Sequence, residues 1–169
     1  GFKLKCRASE TDIADHCLLG KFYSSSIIRN PKTRDPKMNS KIMIRSSQLS
    51  DIAEMVRLSY QKRIAYEKEQ PQFWRHAKNA EKSQEKWFEL LLSRKNFLML
   101  TAVDNEKVLG FVIGELKEAP EVYDPMGLTL VIDDFCVQES AFWETVGEAL
   151  IIEIKQQAKK LGAAQIIIV

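Results

Sequence analysis

Two long runs rich in apolar residues, Phe97 to Val103 and Lys107 to Leu116, flank the short polar stretch Asp104-Asn105-Glu106. Strand-forming runs joined by so tight a turn predict an antiparallel hairpin. The hydrophobic period on either side predicts what must cover it. Lys41 to Ser46 alternates as a short strand, and Ser50 or Asp51 caps a helix with the apolar face Ile52, Met55, Val56, Leu58 and Ile64. Charged residues fill Gln61 to Gln70, and Pro71 ends that stretch. A second helix, about Ala80 to Ser93, gathers Trp87, Phe88, Leu91 and Leu92. Pro120 to Gly127 reads as a loop and Leu128 to Val137 as a third long strand. A long amphipathic helix, Glu144 to Leu161, stops at Gly162 in the C′ position. Ala164 to Val169 is apolar almost throughout, as expected of a strand packed on both faces. The order β-α-α-β-β-β-α-β predicts an α/β fold.

With 169 residues and 19.4 kDa, the chain has room for about one domain at roughly 150 residues each. Asn30 to Lys37 is polar, holds Pro31 and Pro36, and reads as a linker ahead of Met38. Residues 1–37 are therefore expected to be an extension, with one short helix behind Thr11 carrying Ile13, Cys17, Leu18 and Phe22. The domain proper runs over residues 38–169.

Charge and composition exclude several classes. The net charge is +2, yet residues 1–37 carry eight Lys and Arg against four Asp and Glu. The remainder is mildly acidic, which argues against a nucleic-acid partner. No apolar run approaches the roughly 18 residues of a membrane span, and the opening GFKLKCRASETD lacks the apolar core of a secretory signal. A cytoplasmic address and no membrane partner are expected. Cys6, Cys17 and Cys136 are odd in number and widely spaced, and His16 and His76 lack ligand partners at metal spacing. Neither a disulfide framework nor a metal site is expected.

Four stretches carry a resemblance. IMIRSSQLSDIAEMVRL, the hairpin FLMLTAVDNEKVLGFVIGEL, the strand LTLVIDDFCV, and the last helix followed by GAAQIIIV occur in the order and spacing of the GCN5-related N-acetyltransferases. The sequence resembles that family over Met38 to Val169. The resemblance implies a mixed, mostly antiparallel sheet flanked by helices, with acetyl-CoA as acyl donor and a small-molecule or peptide amine as acceptor. It leaves room for a homodimer.

Two departures accompany it. The family's cofactor signature, Val-x-Pro-x-x-Arg-Gly-x-Gly-x-Gly, aligns without a gap from Val137, but only Gly147 matches. Glu139 stands for the proline, Phe142 for the arginine, and Trp143 and Thr145 for two glycines. The family also continues past its fifth strand with a helix and a hairpin, whereas this sequence ends at Val169.

The resemblance implies the site. Backbone amides of Phe135, Cys136 and Val137 on the strand, and of Thr145, Val146 and Gly147 at the helix start, would hold the cofactor. Asp133 or Asp134 would take the proton of the acceptor amine, with Glu115 on the neighbouring strand as another candidate base. Strict alternation would send the two aspartates to opposite faces. Cys136, in an aliphatic strand with no nearby His in the sequence, reads as a small buried hydrophobe rather than a nucleophile. Trp87 and Phe88 read as core, His76 as a solvated loop residue, and Lys155, Lys159 and Lys160 as a solvated face offsetting the helix dipole. A second reading is a non-catalytic domain of this architecture that binds a partner or another ligand.

Overall fold

The structure, a computed structural model, describes residues 42–139 and 142–168. The expected extension over residues 1–37 and its short helix, with Cys6, Cys17 and His16, lie outside the described residues, as do Lys41 and Val169 at the two strand ends.

Strand β1 (Met43–Ser46) leads through a 3-10 turn (Leu49–Asp51) into α1 (Ile52–Glu69) and then α2 (Ala80–Leu92). Strands β2 (Phe97–Asp104), β3 (Lys107–Lys117) and β4 (Leu128–Val137) follow. A π-turn (Trp143–Gly147) opens into α3 (Glu148–Lys160), and β5 (Ala163–Ile168) closes the described chain. The five strands lie in sequence order in one sheet. The first three pairings are antiparallel, and α3 crosses over to bring β5 parallel to β4. This is the mixed, mostly antiparallel sheet flanked by helices that the sequence implies.

Local chemistry sets the turns. Asn105 and Glu106 both have positive φ, 45° and 69°, which is the backbone of a two-residue hairpin turn whose twist matches the strands. Gly162 stops α3 at φ 91°, a conformation costly for any residue with a β-carbon. At the start of α1, Arg45 grips Asp51 through two bonds of 2.6 and 2.8 Å, and the Gln48 amide donates to the same carboxylate at 2.8 Å.

The sheet is covered on both faces. Ile52, Met55 and Leu58 of α1, with Phe88 and Leu91 of α2, pack on Met99, Val108, Phe111 and Ile113. Leu150, Ile154 and Ala158 of α3 pack on Leu100, Ala102, Val112, Leu130 and Ile132. Phe88 meets Phe111 edge to face at 5.7 Å. Burying one such side chain stabilises by roughly 1.5–3 kcal/mol.

Four expectations need correction. Trp87 is 43% exposed, lying outside the core beneath the Arg94 guanidinium at 5.8 Å. Ile64 is also 43% exposed, because at 3.6 residues per turn it stands opposite Met55. The inward stripe through Met55 continues instead through Ser59, Lys62 and Tyr66. The last helix does not begin as a regular α-helix at Glu144: the Glu148 amide reaches back to the Trp143 carbonyl, the wider winding of a π-turn. Strand β5 is only partly covered, because β4 is its one neighbour among the described strands.

Candidate active site

The site is built around one extra residue in β4. Gly114 of β3 faces Ile132, but its neighbour Ile113 faces Asp134, so Asp133 is a β-bulge. The bulge reverses the alternation of the strand. Leu130 and Ile132 point toward α3, whereas Cys136 joins the core beneath α1 and α2 and Asp134 bonds side chains of α1. The strict alternation expected of the aspartates is therefore overturned by the inserted residue. The β4–β5 pairing runs from Leu128 opposite Ala163 to Ile132 opposite Ile168, the last described residue of β5. Asp133 to Val137 have no β5 partner among the described residues.

The two aspartates have different surroundings. Asp133 is exposed. The Asp134 side chain is 15% exposed and ion-paired with Lys62. Its Oδ2 accepts from Ser59 Oγ at 3.2 Å and Gln84 Nε2 at 3.4 Å, and its Oδ1 accepts from the Phe135 amide at 2.9 Å. Gln84 in turn accepts from Arg63, and Lys62 Nζ also reaches the Phe135 carbonyl at 3.4 Å. Burial alone would lower the affinity of Lys62 for its proton, but the charge and hydrogen bond of Asp134 outweigh it and hold the ammonium above the ordinary lysine range.

Cys136 is 5% exposed. Its sulfur lies 3.9 Å from Asp134 Oδ1, and burial pushes its thiol up to about 11. Glu115 is not brought to the aspartates. It lies opposite Val131 on the other side of the bulge, bonded to Lys117 at 2.9 Å and Asn96 at 3.2 Å.

The expected cofactor residues share one region but do not all present amides to it. Gln138 donates its N–H to Leu109 of β3, and strand amides alternate in direction. The Phe135 and Val137 amides therefore point away from β3, and the Cys136 amide points to β3. Phe135 already gives its N–H to Asp134. Thr145 is exposed, with its hydroxyl donating to the Phe142 carbonyl at 3.3 Å, while Val146 and Gly147 are buried. These three belong to the π-turn rather than to a first α-helical turn, since the helical winding already begins at Trp143. Trp143 packs edge to face on Phe135 at 4.8 Å and roofs Gly147.

Sequence reasoning missed Lys62, Ser59 and Gln84. The first two lie on the inward stripe of α1, where a lysine is a signal that a buried anion awaits it. His76 is not the solvated residue expected: its ring bonds Glu67 and stands edge-on to Tyr60 at 5.7 Å. Among the described residues no cluster of His, Cys, Asp or Glu is arranged to hold a metal, and no helix is long and apolar enough to cross a membrane.

No protein-family model matches the sequence, and no curated protein matches it. Solved structures do match the fold. A point mutant of the BH1408 protein of Bacillus halodurans superposes with a TM-score of 0.65 at 23% identity, covering 75% of this chain and 81% of that one. The aminoglycoside N-acetyltransferase AAC(6')-Iy, solved with CoA, gives 0.60 at 14% identity over 79% of each chain. An aminoglycoside acetyltransferase from an uncultured soil metagenomic sample, solved with sisomicin, gives 0.53 at 18% over 76% of each. The bulged β4, the parallel β5 beside it and the helices on both faces thus place this chain in the fold of the GCN5-related N-acetyltransferases.

Proposed function

We propose that this chain is an acyl-CoA-dependent N-acyltransferase that moves an acetyl group to an amine. The observation that carries the reading is the β4 bulge at Asp133, which sets an exposed carboxylate beside the partly buried Asp134 on a central strand of the sheet. Two architectural neighbours are aminoglycoside acetyltransferases, one solved with CoA and one with sisomicin.

The residues fit the two ends of the donor unequally. The bulged part of β4 offers the Val137 amide and an exposed carboxylate at Asp133, which suits the thioester end. At the phosphate end the Trp143 ring covers the Gly147 backbone, and Phe142 supplies no charge. Anion binding there falls to backbone amides of the π-turn, after the indole turns aside. The donor supplies an activated acyl carbon on sulfur. With the donor bound, the acceptor nitrogen would attack that carbon, the carbon–sulfur bond would break as the carbon–nitrogen bond formed, CoA would leave as its thiolate, and the nitrogen's proton would pass to a carboxylate of the Asp133–Asp134 pair. Glu115, held by Lys117 and Asn96 away from the bulge, is the weaker candidate.

The Trp143 roof favours a second reading, a non-catalytic domain of the same architecture. Calorimetry of the full chain with acetyl-CoA separates the two. Binding tighter than about 1 mM, about −4 kcal/mol, followed by CoA release in the presence of sisomicin, supports the enzyme. No heat and no thermal shift at millimolar acetyl-CoA would overturn it.

A further inference from the structure

We infer that Lys62 and Asp134 are a positioning pair that fixes the bulge of β4, and that Asp134 is not the group that takes the acceptor's proton. The part of this about the acceptor rests on the acetyl-transfer reading. The positioning itself stands on contacts alone.

Capacity argues first. A carboxylate offers about four lone-pair sites. Asp134 receives Lys62, Ser59, Gln84 and the Phe135 amide, with the Cys136 sulfur a further 3.9 Å neighbour. Taking a proton from a substrate would require one of these donors to leave. Asp133, one residue earlier, is exposed and can meet an acceptor without that loss.

Position argues second. The Phe135 N–H and C=O point away from β3. Asp134 takes the N–H and Lys62 approaches the C=O, so two side chains hold both polar groups of this residue. The same carboxylate ties this part of β4 to α1 through Ser59 and to α2 through Gln84, which Arg63 holds from its other end. The geometry of the bulge is thereby coupled to both helices on that face.

Energetics argue third. A buried ion pair often contributes no more than well-packed apolar residues of the same volume. Lys62 nonetheless interrupts the inward stripe of α1 beside the β4 bulge, which suits a pair fixing a geometry.

The test uses the full chain and three variants. Lys62→Met alone strands a buried carboxylate and risks unfolding, so the informative variant is the double change Lys62→Met/Asp134→Leu, with Lys62→Arg as the conservative rescue. Amide exchange is followed at Phe135 and, as controls, at Phe111 and Leu130, with acetyl-CoA affinity measured in parallel. In the double variant, Phe135 protection should fall at least about tenfold while the controls keep theirs. Acetyl-CoA affinity should fall about tenfold in step, and Lys62→Arg should stay within about threefold of wild type on both measures. Unchanged Phe135 protection in the double variant would overturn the pair. So would an Asp134→Asn chain that keeps that protection yet loses the pH dependence of CoA release. If the wild-type chain binds no acetyl-CoA, the transferase reading fails, and Phe135 exchange alone decides the positioning role.

Discussion

Trp143 lies directly over Gly147: a β-carbon built on that glycine would stand 3.2 Å from Trp143 Cε3 and 3.4 Å from Phe135 Cζ. The resemblance would bring phosphate against the backbone of this glycine, which an indole roofs. Trp143→Ala should therefore strengthen acetyl-CoA binding, by about tenfold if the ring's displacement costs about 1.4 kcal/mol. Because the ring is only half-buried, stability should fall by less than the roughly 3–5 kcal/mol of a fully buried Trp→Ala change. Calorimetry paired with a urea melt reads both. Unchanged affinity in a folded variant would show that the roofed backbone is not where the donor binds.

Phe142, which the resemblance sets against the signature arginine, packs partly against the core beneath α3. Phe142→Arg should add one charge-assisted phosphate contact worth about 1.5–3 kcal/mol, so roughly tenfold or more in affinity. Some core packing is lost in exchange. The gain should shrink as salt is raised. A gain indifferent to ionic strength would argue against a phosphate contact.

Asp133 and Asp134 should separate kinetically. Asp133→Asn is expected to lower kcat by roughly 10²–10⁴, the usual contribution of a positioned base, with the KM for acetyl-CoA nearly unchanged. Sisomicin serves as the acceptor and CoA release as the readout. Full activity in Asp133→Asn would remove that residue from the chemistry.

Much of this architecture is legible in periodicity. The hairpin around Asn105, the stop at Gly162 and the burial of Phe88 and Leu91 follow from period and turn chemistry, which are local. The bulge is not legible, because LTLVIDDFCV gives no sign that the strand inserts a residue at Asp133 and reverses its faces. Nor are the partners of Asp134, since Ser59, Lys62 and Gln84 lie 75, 72 and 50 residues away in sequence. A period describes which face a residue takes, not which distant side chain waits there. Lys62 was the exception within reach, standing on a stripe with Met55 and Ser59.

The Arg45–Asp51 pair should set part of the acid stability. Burial raises the Asp51 carboxyl, but the Arg45 guanidinium and the Gln48 amide outweigh burial and hold it below the ordinary carboxylate range. The folded state thus releases this proton more readily than the unfolded chain. The pair's contribution is complete above the unfolded value of about 3.9 and is lost as pH falls through the depressed folded one. Arg45→Met leaves Asp51 buried without its cation and should cost about 3–5 kcal/mol at neutral pH. Its urea midpoint should also depend less on pH below about 4 than that of wild type. An identical acid limb in both chains would remove this pair from the account.

Cys136 provides the last test, because a transferase could instead pass its acyl group through a cysteine. The thiol is 5% exposed, and burial pushes it up to about 11. At pH 8 an ordinary thiol of about 8.5 is roughly a quarter thiolate, whereas one near 11 is about one part in a thousand. Iodoacetamide should therefore label Cys136 at least roughly a hundredfold more slowly in the folded chain than in urea, read by peptide mass spectrometry. Because folding raises this group, the folded state holds the proton more tightly, so stability should begin to fall as pH rises past about 8.5 and keep falling toward 11. Cys136→Ala should leave CoA release with sisomicin within about threefold of wild type, consistent with direct attack by the amine. Labelling as fast as in urea, or a Cys136→Ala chain that folds but no longer turns over, would instead make Cys136 the acyl carrier.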